Sequence, residues 1–172
     1  MLWFNPGLAG SEQTMDGVVQ VRDATRADVA FLVECNAAMA WETERRELDR
    51  ALLARGVAAL FEVPSRGFYL VAMRGDVALG CLMVTREWSD WRNGDWWWLQ
   101  SVHVLPHARR SGVFRALHAE VERRARAADR VVGLRLYVER ENARAQATYA
   151  ALGMHEAVYR VYERGFDEAA GP

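Results

Sequence analysis

The chain has 172 residues, of which 51% are hydrophobic and 26% are charged. This length fits one domain whose core is large enough to be stable without disulfides or metals. Arginines and acidic side chains nearly balance, 22 against 23, so charge gives no reason to expect a nucleic-acid or anionic-membrane partner. The chain contains no lysine. Schiff-base catalysis and a Walker-type phosphate loop are therefore excluded.

The cysteines and histidines predict neither a disulfide framework nor a metal site. Cys35 and Cys81 are isolated in the sequence, so each is expected to be a small buried residue. The four histidines show no ligand spacing with acidic or thiol partners. We therefore predict that the protein uses no metal.

Hydropathy predicts no membrane anchor, because no apolar run approaches the ~20 residues that a spanning helix needs. Residues 1–16 also lack the basic start and apolar middle of a signal peptide. We expect a cytoplasmic protein with a disordered extension over 1–16, a single domain over 17–166 and a tail over 167–172. Translation could start at Met1 or at Met15, and the sequence leaves both open.

The first part of the chain predicts one strand followed by two helices. Val18–Val21 is a short apolar run bounded by polar residues, which is typical of a strand. Thr25 and Asp28 have the spacing of a helix cap and a first-turn acid, so a helix is expected to begin there. Glu47–Phe61 is a second helical stretch, interrupted by Gly56.

The middle of the chain predicts three strands. Phe68–Met73 and Val77–Thr85 flank an Arg-Gly-Asp turn, which is a hairpin signal. A polar loop over Ser89–Asp95 then leads to an apolar strand over Trp96–Leu105, which Pro106 ends.

The last third predicts alternating helices and strands. Gly112–Ala128 and Asn142–Leu152 are helical, and Val131–Val138 and Met154–Tyr162 are strands. The predicted order is β-α-α-β-β-β-α-β-α-β, which gives a layered α/β domain with a mixed sheet.

A short basic turn joins the strand before Pro106 to the next helix. Exposed amides at a helix start bind anions, and the helix dipole adds to the attraction. Arg109 and Arg110 would add charge, and Gly112 would allow a close backbone approach. The residues alone leave a second interpretation open, an ordinary loop with two solvated arginines.

This turn resembles the phosphate-binding motif Q/R-x-x-G-x-G/A of the GNAT superfamily of acyl-CoA-dependent N-acetyltransferases. Arg109 and Gly112 match it, whereas Phe114 stands where glycine or alanine is usual. Residues 142–154 resemble a second family segment, N-x-x-A-x-x-x-Y-x-x-x-G-F/M, with Asn142 and Tyr149 in the matching positions. The resemblance extends over residues 18–162 and implies a mixed, mostly antiparallel central sheet flanked by helices.

The resemblance also implies acetyl-CoA as co-substrate and a set of residues that hold it. Tyr149 would act as the catalytic general acid that protonates the departing thiolate, although on its own it could equally be a core aromatic. A bulge in the strand before the turn would expose a backbone amide that polarises the thioester carbonyl. The implied cofactor-binding residues are Val102, His103, Val104, Arg109, Arg110, Ser111, Gly112, Val113, Phe114, Arg115 and Asn142.

The sequence assigns no general base. Many family members place a carboxylate on the strand before the turn, where this chain has Gln100 and Ser101. The remaining candidates are Glu34, Glu42, Glu87 and His103, or else a water chain or an amine that arrives neutral.

Five of the seven tryptophans lie between residues 88 and 98. Strand alternation places Trp97 opposite to Trp96 and Trp98, and two of these three are expected in the core. We predict that an acid beside aromatic rings receives a cationic amine acceptor, through charge and cation–π attraction. The predicted acceptor-binding residues are Glu87, Trp88, Trp91 and Glu34. Burial of the tryptophan loop in a homodimer is the alternative.

The leading functional prediction is an N-acetyltransferase that acts on a small-molecule or peptide amine. A non-catalytic acyl-CoA-binding module of the same fold is the second possibility, and an interaction protein that uses its tryptophans is the third. The identity of the amine, and the choice between acetyl and a longer acyl donor, stay open at this level.

Overall fold

The computed structural model describes residues 17–166, so the predicted extension over 1–16 and tail over 167–172 lie outside the described residues. The chain divides into two compact units, Met1–Tyr137 and Val138–Pro172. A single domain over 17–166 stays a prediction.

Over residues 17–137, the described part of the first unit contains the sheet and three α-helices. In chain order its elements are β1 (Gln20–Asp23), α1 (Val29–Glu44), α2 (Arg50–Glu62), β2 (Gly67–Arg74), β3 (Val77–Ser89), β4 (Gly94–Val104), α3 (Val113–Ala127) and β5 (Val131–Leu136). The second unit contributes one helix, α4 (Ala143–Ala151).

The five strands form one sheet in the order β1-β2-β3-β4-β5. The pairings from β1 to β4 are antiparallel, whereas β4 and β5 are parallel. A parallel pair needs a crossover connection, and α3 supplies it. The predicted mixed, mostly antiparallel sheet flanked by helices is confirmed.

Helices cover both faces of this sheet within the first unit. The α3 side packs Val113, Leu117 and Val121 against Leu82, Trp97 and other residues of β2, β3 and β4. On the opposite face, α1 and α2 pack against β2 and β3 through a second buried cluster. Each cluster excludes water from one face of the central strands, which is the main favourable term in folding.

The predicted start of α1 is present as a capping box in a short 3₁₀ turn. The Thr25 amide donates to Asp28 Oδ2 at 2.7 Å, and Arg22 holds the same carboxylate at 2.8 Å. The hydrogen bond from Arg22 lowers the pKa of Asp28 to about 2. The acid that the sequence placed in the first turn therefore stays ionised where it stabilises the helix start.

The predicted last strand over Met154–Tyr162 is wrong. These residues form no strand, and Val158 and Tyr162 are 91% and 89% exposed. An apolar, alternating segment favours a strand, but a strand exists only when a neighbour accepts its backbone hydrogen bonds. Among the described residues β5 pairs only with β4, so this segment has no strand beside it.

The predicted alternation of the three adjacent tryptophans across the sheet is confirmed, but the number expected in the core is wrong. Trp97 is buried against α3 with 6% exposure, and Trp96 and Trp98 lie on the opposite face, where both are half-buried. Only one of the three is therefore in the core, because α1 and α2 do not bury the part of β4 that carries Trp96 and Trp98.

No helix within residues 17–166 is long and apolar enough to cross a bilayer.

Candidate active site

Strand β4 contains a bulge shortly before His103 and Val104, the last residues of β4 that pair with β3. Cys81 pairs with His103 and Met83 pairs with Gln100, so three steps along β4 match two steps along β3. The extra residue is Ser101, whose φ of 49° lies in the left-handed region. A bulge of this kind re-aims the backbone groups beside it. The bulge implied by the family resemblance is therefore present in this strand.

The outer edge of β4 is open from the bulge onwards. Pairing between β4 and β5 ends at Leu99 and Leu136, while β4 continues to Val104. Within residues 17–166 no strand covers the β5 side of 100–104. Unpaired backbone donors and acceptors at a strand edge can bind an extended ligand as an added strand.

The basic turn follows this edge and ends at the start of α3. Arg110 and Gly112 have φ values of 63° and 84°, so two left-handed residues lie in the turn just before the helix. Gly112 is the N-cap, and a Cβ built on it meets no atom within 4 Å. The space in the Cβ direction of Gly112 is therefore open at the start of α3. The first amides of a helix have no intrahelical acceptor, so a helix start of this kind can bind an anion.

Arg109 is engaged with protein groups rather than extended into solvent. Its Nε donates to Val104 O at 3.0 Å and its terminal nitrogen donates to Glu42 Oε2 at 2.6 Å. This side chain therefore joins the end of β4 and the C-terminal end of α1 to the turn. Arg110, in contrast, is exposed and has no ion pair among the described residues.

The remaining predicted turn residues separate into buried and exposed side chains. Ser111 donates to Ala108 O at 2.7 Å, which closes the turn, and Val113 is buried in the α3 cluster. The Phe114 ring packs against that cluster and lies 6.0 Å from the His118 ring. The departure from the family motif therefore places an aromatic ring on the buried side of α3. Arg115 is exposed in the first turn of α3.

His103 is buried on the α1 face of the sheet, with 5% exposure. Burial lowers the pKa of its imidazole, an effect that Glu42 opposes and Arg109 reinforces. Val102 and Val104 point to the other face and pack against the α3 cluster. At these three positions the backbone, rather than the side chains, borders the open edge.

In the second unit, Asn142 and Tyr149 lie on α4. Asn142 is the N-cap, and its side chain accepts from the Ala145 amide at 3.0 Å. Tyr149 is half-buried, and burial raises the pKa of its hydroxyl. The phenol therefore stays protonated across the neutral range and can donate a proton.

Glu87 lies in an aromatic and ionic cluster at the other end of β4. Its carboxylate accepts from Arg135 at 3.0 Å and from the indole N–H of Trp98. The Arg135 guanidinium lies 4.2 Å from the Trp96 ring centroid, and Tyr137 stacks on Trp98 at 4.4 Å. The sequence did not predict this cluster, because it joins β3, β4 and β5 through residues as far as 48 positions apart.

The four predicted acceptor residues differ in their partners and exposure. Glu34 pairs with Arg50, and Trp88 and Trp91 are 64% and 85% exposed. Within the described residues no hydrogen bond, ion pair or ring contact joins these side chains to each other or to Glu87. The acceptor assignment stays a prediction.

Three of the four candidate bases are carboxylates, and each is paired with an arginine. Glu34 is held by Arg50, Glu42 by Arg109 and Glu87 by Arg135. Among residues 17–166, no group of three or more histidine, cysteine or carboxylate side chains could hold a metal ion.

Comparisons with known proteins agree with this geometry. The sequence model of the acetyltransferase (GNAT) family matches residues 29–154, which include the bulge, the turn and α4. A search among curated proteins found no match to the sequence.

Solved structures of similar fold include acetyltransferases. A possible acetyltransferase of Clostridium difficile 630 is 39% identical, with a TM-score of 0.81 over 87% of this chain and 99% of that one. An aminoglycoside N-acetyltransferase in complex with CoA is 17% identical, with a TM-score of 0.71 over 87% and 96%. A predicted acetyltransferase of Clostridium acetobutylicum with acetyl-CoA is 12% identical, with a TM-score of 0.69 over 86% and 96%. The last two show the fold alone.

Proposed function

Because the chain belongs to the acetyltransferase (GNAT) family, we propose that it transfers an acetyl group from acetyl-CoA to a primary amine of a small molecule or peptide. The observation that carries this proposal is the continuity of the Ser101 bulge, the open edge of β4 and the uncovered helix start at Gly112. These features supply, in order along the chain, an amide for the thioester, an edge for an extended arm and amides for a phosphate.

The pyrophosphate of acetyl-CoA would bind at the start of α3. The open space over Gly112 admits a phosphate oxygen to the backbone amides, and exposed Arg110 adds positive charge. The pantetheine arm would then lie along residues 100–104 as an added strand, which directs the thioester towards the bulge.

Transfer would proceed by direct attack in a ternary complex. The amine nitrogen bonds to the thioester carbon, and the developing oxyanion accepts a hydrogen bond from a backbone amide at the bulge. The carbon–sulfur bond then breaks, the proton of the Tyr149 hydroxyl goes to the thiolate, and the nitrogen loses a proton. A phenol of pKa ~10 can protonate a thiolate whose conjugate thiol has a pKa of ~8.5 or above when the two are within hydrogen-bond distance.

The amine proton has no single assigned acceptor in this scheme. Burial lowers the pKa of His103 below its usual ~6.5, so the neutral imidazole, which has one nitrogen able to accept a proton, predominates at pH 7. The paired carboxylates Glu34, Glu42 and Glu87 are poorer choices, because each would have to leave its arginine. An amine that arrives neutral requires no base.

The test is thiol release from acetyl-CoA over a panel of amines, with Tyr149→Phe as the diagnostic variant and exposed Tyr159→Phe as its matched control. We expect Tyr149→Phe to lower kcat by about a hundredfold while the Kd for CoA changes less than threefold. CoA binding with no thiol release on any amine would identify a non-catalytic binding module instead.

A further inference from the structure

Three polar side chains, besides that of His103, are buried beneath the β4 bulge on the α1 face of the sheet. Asn36 of α1, Tyr69 of β2 and Cys81 of β3 are 6%, 4% and 0% exposed. The transfer scheme above uses none of them. Buried polar groups are costly unless they are hydrogen-bonded, so their partners indicate what they do.

The contacts of these side chains converge on Ser101. Asn36 Nδ2 donates to Leu32 O at 2.8 Å and to the Tyr69 hydroxyl at 3.4 Å. The Tyr69 hydroxyl lies beside the Ser101 side chain, which together with Asn36 opposes the rise in the Tyr69 pKa that burial causes. A chain of polar contacts therefore runs from α1 through β2 to the extra residue of the bulge.

Cys81 holds the backbone of the same residue. Its thiol donates to Ser101 O at 3.7 Å and also interacts with the buried Cys35 thiol and with the His103 amide. The bulge interrupts the backbone pairing of β3 and β4 at Ser101. The Cys81 thiol thus provides the Ser101 carbonyl with a partner there. Gly80 lets the strands approach here, because a Cβ at that position would lie 2.5 Å from His103 O.

Ser101 needs these contacts, because a non-glycine residue rarely adopts a φ of 49°. Such a conformation persists only where the surroundings impose it, and it is common at functional sites. The surroundings of Ser101 include the Tyr69 hydroxyl beside its side chain and the Cys81 thiol 3.7 Å from its carbonyl oxygen.

Fixing the Ser101 carbonyl also fixes the amide of the next residue. The peptide between Ser101 and Val102 is planar and trans, so its N–H points opposite to its C=O. Since the carbonyl points at the buried Cys81 thiol, the Val102 N–H points away from that thiol.

We propose that Tyr69, supported by Asn36, and Cys81 are positioning residues that lock the Ser101–Val102 peptide, so that the Val102 N–H is the donor presented to the thioester oxygen. The catalytic part of this inference rests on the proposed acetyl transfer. The structural part, that the Tyr69 hydroxyl maintains the left-handed conformation of Ser101, can be tested without any turnover.

The kinetic arm compares variants that remove one hydroxyl each. We expect Tyr69→Phe and Ser101→Ala each to lower kcat about tenfold, with the KM for acetyl-CoA within twofold of the parent, because the oxyanion contact forms only in the transition state. The double variant should be no worse than either single variant, since both remove the same contact. Tyr162→Phe, at an 89% exposed position, is the matched control and should keep parental kinetics.

A rescue variant separates positioning from general destabilisation. Glycine adopts a positive φ without strain, so Ser101→Gly no longer needs the Tyr69 hydroxyl to hold that conformation. We therefore expect Tyr69→Phe to cost less than threefold in kcat when it is made in the Ser101→Gly background. An undiminished tenfold loss there would overturn the proposal.

The spectroscopic arm uses NMR of the full chain. In the parent the Ser101 carbon shifts should report the left-handed conformation, and Tyr69→Phe should move them and speed exchange of the His103 amide. Unchanged Ser101 shifts and His103 exchange in Tyr69→Phe would overturn the proposal. If the parent shows no turnover on any amine, the proposed function fails while this arm still decides the role of Tyr69.

Discussion

Arg109 and Glu42 form an ion pair with a 2.6 Å contact that joins the basic turn to the end of α1. Arg109 also donates to Val104 O, so the motif arginine connects three parts of the first unit. Its charge is largely neutralised there by Glu42. Of the two motif arginines, only the exposed Arg110 therefore has no ion pair among the described residues.

The two arginines should consequently give different phenotypes when each is changed to glutamine. Arg110→Gln is expected to raise the Kd for CoA about fivefold, or ~1 kcal/mol, and to reduce the salt dependence of binding. Arg109→Gln should chiefly lower the free energy of unfolding, by ~0.5–1 kcal/mol because the pair is more than a third exposed. Calorimetric titration at two salt concentrations and urea unfolding measure both effects. The assignment is wrong if Arg109→Gln removes the salt dependence and Arg110→Gln does not.

Gly112 should be required for cofactor binding beyond its effect on stability. Gly112→Ala places a methyl group in the open space over the helix start, where we place a phosphate, and we expect at least a tenfold rise in the Kd for CoA. Gly75→Ala is the matched control, because Gly75 also has a positive φ, of 57°, and an open Cβ direction. Both variants should lose ~1 kcal/mol of stability from backbone strain. Equal CoA affinity in the two variants would show that the turn is not part of the CoA-binding site.

Glu87 should not behave as the general base. Its carboxylate is bound by Arg135 and by the Trp98 indole, so Glu87→Gln keeps one accepting oxygen for these donors and loses the charge and the second acceptor. We expect the acid limb of the kcat/KM pH profile to be unchanged in Glu87→Gln, with a rate within threefold of the parent. If the acid limb disappears in this variant, Glu87 is the general base and this prediction is wrong.

Acid sensitivity should come in part from His118 in α3. This imidazole is 3% exposed, its Nε2 has no hydrogen-bond partner among the described residues, and burial lowers its pKa. The unfolded chain therefore binds a proton that the folded chain does not, so stability is complete above the unfolded pKa of ~6.5 and falls as the pH drops below it.

His118→Leu should therefore flatten the fall in stability below pH ~6.5, by up to ~1.4 kcal/mol per pH unit. His103, whose pKa is also lowered by burial, keeps part of the dependence in this variant. Urea unfolding between neutral and mildly acidic pH gives the comparison. An identical pH dependence in parent and variant would show that folding does not change the pKa of His118, which would contradict this account.

Local sequence signals predicted the elements and the turn because each depends on neighbouring residues. The Thr25–Asp28 cap, the hairpin at Gly75 and the apolar face of α3 are of this kind. Burial of Cys35 and Cys81 was also confirmed. The predicted last strand was wrong, because the alternation of apolar and polar residues over 154–162 cannot supply a partner strand.

The features that shape the candidate site depend on distant residues. The bulge at Ser101 has no local signal, because serine is not a residue that favours a positive φ, and it exists through contacts from β2 and β3. The Arg109–Glu42 pair spans 67 positions, and no spacing rule applies over that distance. The bulge was expected only through the resemblance to the family.

The most direct test of the account is acceptor-dependent release of CoA by the parent chain, with mass analysis of the product. The absence of lysine leaves no lysine side chain on the protein to compete as acceptor. We predict that at least one amine in a panel of amino acids, polyamines, aminoglycosides and peptides releases thiol and gains one acetyl group on its nitrogen. If CoA does not bind at all, the account of the bulge, the open edge and the Gly112 turn is contradicted.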